Sequence, residues 1–335
     1  MSGFSENDVI DQSGKTFVVT GANSGLGFEI TRVLAARGAR VVMACRSKPN
    51  AKEAIGRIRE LTPHAELEFL AYDQADLDSV RAAAETLSAG PTIDVLINNA
   101  GVMEFTYSRT KQGFEQHFGI NHLGSFAFTS LLLPKLAEAP APRAVITGSA
   151  SHRTGVIDFD DLDNAKKSYG HASRYANSKL ANMLFLFELD QRLRAAGSPI
   201  VAVGAHPGLA ITRLGREQKL LRSIAVPLAK LFRLNTAAMG AWPSLQAATS
   251  VVHPGGYYGP IGWKELKGPS GPSSRSPNAV DANIAKRLWD RSIELTGVDP
   301  ALAAARYAAA DRDGVLKPGA RFSTPAAAES YRHTS

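Results

Sequence analysis

The sequence predicts an α/β protein in which a doubly wound parallel sheet forms a single domain. Apolar β-type segments alternate with helical segments from Thr16 to Ala205, and a glycine-rich turn joins the first strand to the first helix. Strands that alternate with helices lie parallel in one sheet and are covered on both faces. Such sheets bind ligands at the carboxyl ends of their strands. We therefore expect the functional groups at that edge.

The alternation predicts elements in a fixed order. The strands are Thr16–Thr20, Arg40–Cys45, Glu66–Tyr72, Ile93–Asn98, Arg143–Thr147 and Ile200–Ala205. The helices are Phe28–Arg37, Ala51–Leu61, Asp76–Leu87, Gly113–Leu136, Tyr175–Ala195 and Ala279–Thr296. The Gly, Pro and Ser content of Gly268–Asn278 predicts a loop. We expect an N-terminal arm (1–14), a domain (15–299) that includes a substrate lid and loop (209–278), and a C-terminal extension (300–335).

Composition excludes several classes of protein. Of 335 residues, 44% are hydrophobic and 21% are charged, which is an ordinary balance for a soluble domain. No apolar stretch approaches the ~18 residues of a membrane span, and the polar N-terminus lacks a signal core. The single cysteine fits a reducing compartment, so we expect a cytoplasmic protein. No Cys/His cluster indicates a metal site.

The positive charge predicts an anionic ligand. The net charge is +7. No basic block resembles a nucleic-acid reader, so a phosphorylated cofactor accounts for it better than nucleic acid. The basic, leucine-rich segment Ala210–Leu234 is interpreted as a lid over the substrate pocket, with docking to an anionic membrane surface as the alternative. The tail after Pro300 either wraps the domain or stays disordered.

The turn Thr20–Gly27 predicts a phosphate site. Its spacing is Gly-x-x-x-Gly-x-Gly, between a strand and a helix. Glycines there allow a tight turn and a close approach of backbone N–H groups to a pyrophosphate at the helix N-terminus. Glycine-rich turns also occur without ligands, so this loop needs support from the rest of the chain.

Residues at the next strand ends refine that prediction. Arg46 follows the second strand. An acidic residue at this place would bind a free ribose hydroxyl and favour NAD(H). A guanidinium instead suits a 2′-phosphate, so Arg46 favours NADP(H) over NAD(H). Arg46 as a solvated surface charge remains the alternative. Asp73 either accepts a bond from an adenine amine or caps the next helix. The Asn98–Gly101 turn offers a surface for a ribose.

Tyr175 and Lys179 lie four residues apart, on one face of a helix. A neighbouring ammonium stabilises a phenolate and lowers the pKa of the tyrosine towards neutrality, which makes it a usable acid or base. Ser149 follows a strand and can bind a substrate oxygen, with Ser151 as the alternative. Asn121 can hold a water in a proton path. Phe185, Leu186 and Leu189 are interpreted as core first and as a subunit interface second.

Together these motifs resemble the short-chain dehydrogenase/reductase family, from about Lys15 to Gly208. Within it, Ala44-Cys45-Arg46, Ser151–Gly155 and Tyr175–Met183 look like the retinol-dehydrogenase-like and protochlorophyllide-reductase-like members, although Gly148 stands where relatives often have a serine. The resemblance implies a Rossmann-like fold and a catalytic set of Asn121, Ser149, Tyr175 and Lys179. In it the tyrosine is the acid/base, the serine positions the substrate oxygen, the lysine tunes the tyrosine and binds ribose, and the asparagine holds a relay water.

We therefore expect an NADP(H)-dependent oxidoreductase that interconverts an alcohol and a carbonyl, with a lipophilic substrate and a homodimeric or tetrameric assembly. Carbon–carbon double-bond reduction and a non-catalytic NADP-binding role are the alternatives. The expected cofactor-binding residues are Gly21, Asn23, Ser24, Gly25, Leu26, Gly27, Arg46, Asp73, Gln74, Asn99, Ala100, Gly101, Tyr175, Lys179, Pro207, Gly208 and Thr212.

Overall fold

The computed structural model describes residues 3–162, 170–209, 235–305 and 307. The strands are β1 (Thr16–Thr20), β2 (Arg40–Cys45), β3 (Leu67–Ala71), β4 (Val95–Asn98), β5 (Arg143–Thr147), β6 (Val201–Ala205), β7 (Tyr257–Pro260) and β8 (Ser270–Pro272). The helices are α1 (Gly25–Ala36), α2 (Lys48–Leu61), α3 (Leu77–Ser88), α4 (Ser125–Leu136), α5 (His171–Ala195), α6 (Ala237–Thr249) and α7 (Ala282–Thr296).

The strands form one sheet in the order β3-β2-β1-β4-β5-β6-β7-β8, parallel except for β8. The doubly wound parallel fold is thus confirmed. The chain first builds outward from β1 to β3 and then returns to place β4 on the other side of β1. This reversal of strand order opens a crevice at the carboxyl ends of β1 and β4, where doubly wound folds bind ligands.

Two apolar layers cover the sheet. Along β1, Val18 faces the core built with α3, α4, α5 and α7, whereas Phe17 and Val19 face the core built with α1, α2 and α6. All three side chains are fully buried, as expected for a central parallel strand covered on both faces. The rigid core therefore supports the strand ends from both sides.

Helix α5 lies inside the first of these layers. Phe185, Leu186 and Leu189 are buried within the single chain, so the core interpretation of these residues is correct. The Phe185 ring lies 5.2 Å from Phe126 and 6.0 Å from Trp289, centroid to centroid. This packing fixes the helix that carries Tyr175 and Lys179 between the sheet and α7.

The predicted helix Gly113–Leu136 was wrong in its first part. Residues His117–Gly124 form a π-helix, and the α-helix begins only at Ser125. A π-helix widens the turn by one residue and is frequent at functional sites. Here it carries Asn121, so the side chains of this segment do not follow a 3.6-residue spacing.

The predicted loop Gly268–Asn278 was also wrong in part. It contains the antiparallel strand β8, and its last two residues begin the 3₁₀ turn Pro277–Val280. Neither β7 nor α6 was expected from the sequence. The helix predicted over Ala279–Thr296 begins at Ala282 and ends as expected before Gly297, which adopts the left-handed conformation at φ 62°.

The N-terminal segment packs on the domain. Phe4 and Ser270 exchange backbone hydrogen bonds of 2.7 and 2.8 Å, and Val9 is buried in the core. Among the described residues, none of the helices combines the length and apolar character needed to cross a bilayer. Most of the predicted lid, residues 210–234, and most of the C-terminal extension lie outside the described part of the chain.

Candidate active site

The glycine-rich turn adopts a conformation that only glycine takes easily. Gly21 and Gly25 have φ values of 67° and 56°. A β-carbon on Gly27 would lie 2.3 Å from the carbonyl oxygen of Gly21, whereas one on Gly25 would meet nothing within 4 Å. Ser24 precedes α1, and its side chain makes no capping hydrogen bond. The turn thus leaves open space and free backbone N–H groups at a helix N-terminus, which fits a pyrophosphate.

The turn after β4 is tied to the turn after β1. The hydroxyl oxygen of Thr20 accepts hydrogen bonds from the backbone N–H groups of Asn99 (3.0 Å) and Ala100 (2.9 Å). A β-carbon on Gly101 would lie 3.0 Å from Oδ1 of Asn121 and 3.4 Å from Nζ of Lys179. Gly101 therefore allows the cofactor turn to pass directly beside two of the predicted catalytic side chains.

At the end of β2, Arg46 is exposed and Cys45 is buried. Burial raises the pKa of the Cys45 thiol to about 11, although hydrogen bonds from the backbone of Asn23 and Ala22 oppose the rise. The thiol therefore stays neutral beneath the glycine turn. No ion pair involves Arg46 within the described residues, so its guanidinium is available to an anion.

Asp73 and Gln74 lie at the end of β3, and both have roles in the protein itself. Asp76, not Asp73, caps α3. The carboxylate of Asp73 accepts a hydrogen bond from the backbone of Ala75 at 3.0 Å. The buried Gln74 amide donates to the carbonyl oxygens of Ala100 (3.2 Å) and Ile120 (2.6 Å). The Gln74 side chain therefore joins the cofactor turn to the π-helix, and direct cofactor binding by either residue stays a prediction.

The predicted catalytic side chains meet at the carboxyl end of β5. Ser149 caps the 3₁₀ turn Ala150–Thr154, and its side chain is near enough to Tyr175 to lower the pKa of the phenol by hydrogen bonding. Nζ of Lys179 lies 5.7 Å from the centre of the Tyr175 ring and 3.3 Å from the carbonyl oxygen of Thr147. This geometry favours Ser149 over Ser151, whose backbone N–H donates to the Ser149 hydroxyl at 3.2 Å.

Burial controls the charges of this group. It raises the pKa of Tyr175, and the hydrogen bond from Ser149 only partly opposes the rise. Burial, not Lys179, dominates the pKa of Tyr175 in the protein alone, and the tuning of Tyr175 by Lys179 stays a prediction. The ammonium is itself buried, which lowers its own pKa to about 8, and it points at the Thr147 carbonyl. At neutral pH the site thus holds a protonated phenol beside a charged lysine.

The Asn121 side chain hydrogen-bonds to two different segments of the protein. Its Oδ1 accepts from the backbone N–H of Val102 at 2.7 Å, and its Nδ2 donates to the carbonyl of Val102 (2.9 Å) and to the hydroxyl of Ser178 (3.0 Å). The side chain therefore joins the turn after β4 to α5. That Asn121 also holds a relay water stays a prediction.

Gly148 explains one departure from the pattern of the relatives. A β-carbon there would lie 2.7 Å from the hydroxyl of Tyr257 and 2.7 Å from Cε of Met183. A serine at this position would collide with both side chains. In this chain the hydroxyl of the buried Tyr257 and the end of the Met183 side chain occupy the space beside Gly148 instead.

Comparisons with known proteins agree with this geometry. A family model described as short chain dehydrogenase matches residues 15–220. The chain belongs to the short-chain dehydrogenase family. Retinol dehydrogenase 12 of Homo sapiens is 40% identical over 292 residues, which cover 85% of this chain and 87% of that protein. Retinol dehydrogenase 14 of Mus musculus is 38% identical over 307 residues, with 85% and 86% covered.

A solved structure extends the likeness to the fold. The crystal structure of an uncharacterized protein from Mycobacterium Paratuberculosis is 37% identical, with a TM-score of 0.75, and the match covers 90% of this chain and 100% of that one. As a short-chain dehydrogenase with such relatives, the protein is an oxidoreductase that acts on alcohol or carbonyl groups. The nicotinamide cofactor of this family fits the glycine turn, where a β-carbon on Gly27 would fill the cradle.

The segment His206-Pro207-Gly208, which contains the expected cofactor residues Pro207 and Gly208, follows β6. The backbone N–H of Gly208 donates to Nδ1 of His206 at 3.3 Å, and Gly208 has a φ of 66°. Burial lowers the pKa of His206 to about 4, so the ring is neutral. The predicted cofactor residue Thr212 lies outside the described residues. Among those described, no three His, Cys, Asp or Glu side chains are grouped to hold a metal ion.

Some residues of the site were missed in the sequence. Ser178 was passed over although it lies between Tyr175 and Lys179, which was the one available signal. Glu115 and His117 form a fully buried pair, with His117 Nδ1 2.8 Å from the carboxylate. The His117 ring meets Tyr175 edge-on at 6.3 Å between centroids, and its Nε2 accepts from the backbone N–H of Glu104 at 3.0 Å. Nothing in the sequence pattern connects that pair with Tyr175.

Proposed function

We propose that this protein interconverts a lipophilic alcohol and its ketone or aldehyde with NADP(H), and that Tyr175 is the general acid/base. One observation carries the proposal: the Ser149 hydroxyl lies beside Tyr175 and lowers the pKa of its phenol by hydrogen bonding, and Lys179 lies one helical turn beyond Tyr175. Two hydroxyls so placed can bind one substrate oxygen and move one proton.

Ser149, Tyr175 and Lys179 each have a separate role in the proposed reaction. When bound, the nicotinamide supplies or accepts the hydride. During reduction, the Ser149 hydroxyl donates a hydrogen bond to the substrate oxygen, and Tyr175 transfers its phenolic proton to the same atom. Burial keeps the phenol protonated at neutral pH, which is the form that this transfer needs. The Lys179 ammonium then stabilises the phenolate that remains, and oxidation runs through the same groups in reverse.

Arg46 supports NADP(H) as the cofactor. It is exposed directly after β2, and the residue before it is a neutral thiol rather than a carboxylate. A free guanidinium at this position suits a 2′-phosphate, whereas a ribose hydroxyl calls for an acidic acceptor. The charge and the place of Arg46 in the fold thus favour the phosphorylated dinucleotide.

Apolar groups near the site support a lipophilic substrate. Phe105 is 42% exposed, and its ring lies 4.6 Å from that of His171, centroid to centroid. His171 precedes Tyr175 by one turn on α5, so Phe105 contacts the helix one turn before the phenol. Two of the related proteins are named for retinol, a bulky apolar alcohol, and we extend that class to this chain.

A substrate panel tests the proposal. Purified protein is given retinoid, terpenoid, steroid and aromatic aldehydes or ketones with NADPH or NADH, and cofactor absorbance is followed. We expect turnover of at least one class with NADPH and recovery of the alcohol as product. A saturated carbonyl as the product would instead show carbon–carbon double-bond reduction. Tight NADPH binding without any turnover would favour a non-catalytic role and contradict the proposal.

A further inference from the structure

Three buried rings pack on one another, one of them in contact with Ser149, and take no part in the reaction proposed above. We call His152, Tyr257 and His206 the ring cluster; their exposed fractions are 0%, 4% and 1%. His152 meets Tyr257 edge-on at 5.7 Å between centroids, and His206 stacks on Tyr257 at 5.1 Å. Buried polar rings are retained at the cost of desolvation, so their hydrogen bonds indicate what they hold.

The contacts of His152 determine where its proton lies. Nδ1 is 2.6 Å from the carbonyl oxygen of Ser149, and Nε2 is 3.1 Å from the backbone nitrogen of Ser276. A carbonyl oxygen can only accept, and a backbone N–H can only donate. The neutral ring therefore carries its proton on Nδ1 and donates it to Ser149. Burial lowers the pKa of His152, which keeps the ring in this neutral form.

That hydrogen bond acts on the main chain of the residue that binds substrate. The Ser149 carbonyl also accepts the backbone N–H of His152 at 3.1 Å, within a single short 3₁₀ turn. A turn of this length holds its first residue weakly by backbone bonds alone. The imidazole adds a second, short bond to the same oxygen. A rotation of the Ser149 peptide would break that bond and would also displace the backbone N–H of Ser151, which donates to the Ser149 hydroxyl at 3.2 Å and orients it.

The other side of the ring is anchored to a distant segment. Ser276 lies 124 residues from His152 in the chain, beyond β8. Next to it, Arg153 pairs with Glu265 at 2.6 Å and donates to the carbonyl oxygen of Ser274 at 3.0 Å. The 3₁₀ turn Ala150–Thr154 is therefore held against the segment after β8 at two adjacent residues, His152 and Arg153. The His152 ring is fixed between the backbone of Ser149 and the backbone of Ser276.

We propose that His152 is a positioning residue: its Nδ1–H group sets the main-chain orientation of Ser149, and so aims the serine hydroxyl at the substrate oxygen. This inference rests on the proposed function, because that proposal assigns Ser149 to the substrate oxygen. His152 itself touches neither substrate nor cofactor in this scheme. Its effect on the reaction passes entirely through Ser149.

Two substitutions at the same position separate positioning from packing. In His152→Asn, the amide nitrogen lies near the place of Nδ1 and can still donate to Ser149. In His152→Gln, the amide lies near the place of Nε2 and can reach only the Ser276 side. Both variants lose the ring that packs on Tyr257, so a purely structural role predicts similar losses of stability and of activity in the two.

We measure kcat and KM for the carbonyl substrate at saturating NADPH, together with Tm, for the full-length chain. We expect kcat to fall by about 30- to 100-fold in His152→Gln and by less than about 5-fold in His152→Asn, because small misplacements of a reacting group cost up to about 100-fold. The two Tm values should agree. Equal losses of kcat, or losses that follow Tm, would overturn the proposal.

His122 provides the matched control. It is also a buried neutral imidazole, bound through Nε2 to the Ser292 hydroxyl at 2.8 Å, on the α7 side of the domain. His122→Asn and His122→Gln should both lower Tm without the difference in kcat seen at position 152. An equal difference in kcat at position 122 would show that any buried histidine has this effect, and would also overturn the proposal.

A spectroscopic measurement keeps this test separate from the proposed function. With ¹⁵N-histidine labelling, long-range nitrogen–proton correlation spectra report the tautomer of each ring, and the signal lost in His152→Asn identifies His152. We expect the Nδ1–H form. The Nε2–H form would overturn the proposal even if turnover is normal. If wild-type protein reduces no carbonyl, the proposed function fails, and the observed tautomer alone decides whether His152 holds Ser149.

Discussion

Gly27 packs directly against the Asn99 amide: a β-carbon on Gly27 would lie 2.6 Å from Nδ2 of Asn99. That same amide donates to the carbonyl oxygen of Thr20 at 2.9 Å. The glycine-rich turn and the turn after β4 are thus in contact at the crevice where strand order reverses. Any side chain at position 27 disturbs both turns at once.

Gly27→Ala should abolish cofactor binding with only a moderate loss of stability. The added carbon would also lie 2.3 Å from the Gly21 carbonyl, so the turn must open. We expect Kd for NADPH to rise at least about 100-fold and stability to fall by about 1–3 kcal/mol. Fluorescence titration and urea unfolding measure the two effects. Gly56→Ala is the control, because a β-carbon there meets no other atom and alanine replaces a glycine inside α2. Unchanged NADPH binding in Gly27→Ala would contradict the close approach of the two turns.

Tyr175→Phe should remove turnover and keep cofactor binding. The substitution deletes the proton donor but leaves the ring that packs near Lys179 and His117. Loss of a general acid typically costs about 100- to 10,000-fold in rate. Steady-state kinetics and NADPH titration provide the measurements. Tyr258→Phe, in β7 on the other face of the sheet, should retain normal kcat; substantial activity in Tyr175→Phe would refute its assignment.

Arg46→Ala should weaken NADPH far more than NADH. A charge-assisted bond to a phosphate is worth about 1.5–3 kcal/mol, so we expect Kd for NADPH to rise about 10- to 100-fold while that for NADH changes little. Arg40→Ala is the matched control, because Arg40 begins the same strand and pairs with Glu68 at 2.5 Å at its opposite end. An unchanged cofactor preference in Arg46→Ala would place the selectivity elsewhere.

Acid should destabilise the fold through its buried histidines. Burial lowers the pKa of His122 to about 3 in the folded protein. The unfolded chain binds a proton at this histidine below about pH 6.5, whereas the folded protein does not until the pH approaches 3. Stability contributed by the neutral ring is therefore complete above pH 6.5 and is lost as pH falls towards 3. His122→Gln should show a loss smaller by about 1–2 kcal/mol between pH 6.5 and 5 in urea unfolding. The exposed His64→Gln should follow wild type; parallel curves for all three proteins would argue against the shift.

The sequence predicted the fold where local pattern and packing agree. Apart from β3, the strands from Thr16 to Ala205 are largely buried apolar runs, and β5, at Arg143–Thr147, was placed without error. Polar residues at the strand ends predicted the site because parallel strands bring those ends to one edge. Ser149 follows from this rule, whereas Tyr175 and Lys179 were paired by their helical spacing, and the resemblance to the family joined the three residues in one set.

The rest depends on partners that are distant in the chain. The π-helix at His117 reflects a hydrogen-bond register that residue spacing does not encode. Strand β8 has three residues, Ser270–Pro272, and gains its identity only by pairing with β7. The raised pKa of Tyr175 follows from burial around it, whereas the sequence showed only its neighbour Lys179. The sequence shows that residue 152 is a histidine, but it does not show that this histidine donates a hydrogen bond to Ser149.

The pairing of Phe4 with Ser270 has a practical consequence for handling the protein. Strand β8 ends the sheet, and the backbone of Phe4 bonds to the side of β8 that faces away from β7. Uncovered strand edges recruit other chains and lead to aggregation. Trimming the first ten residues, or joining a short rigid tag to them, should therefore reduce solubility during purification, whereas a long flexible leader should not.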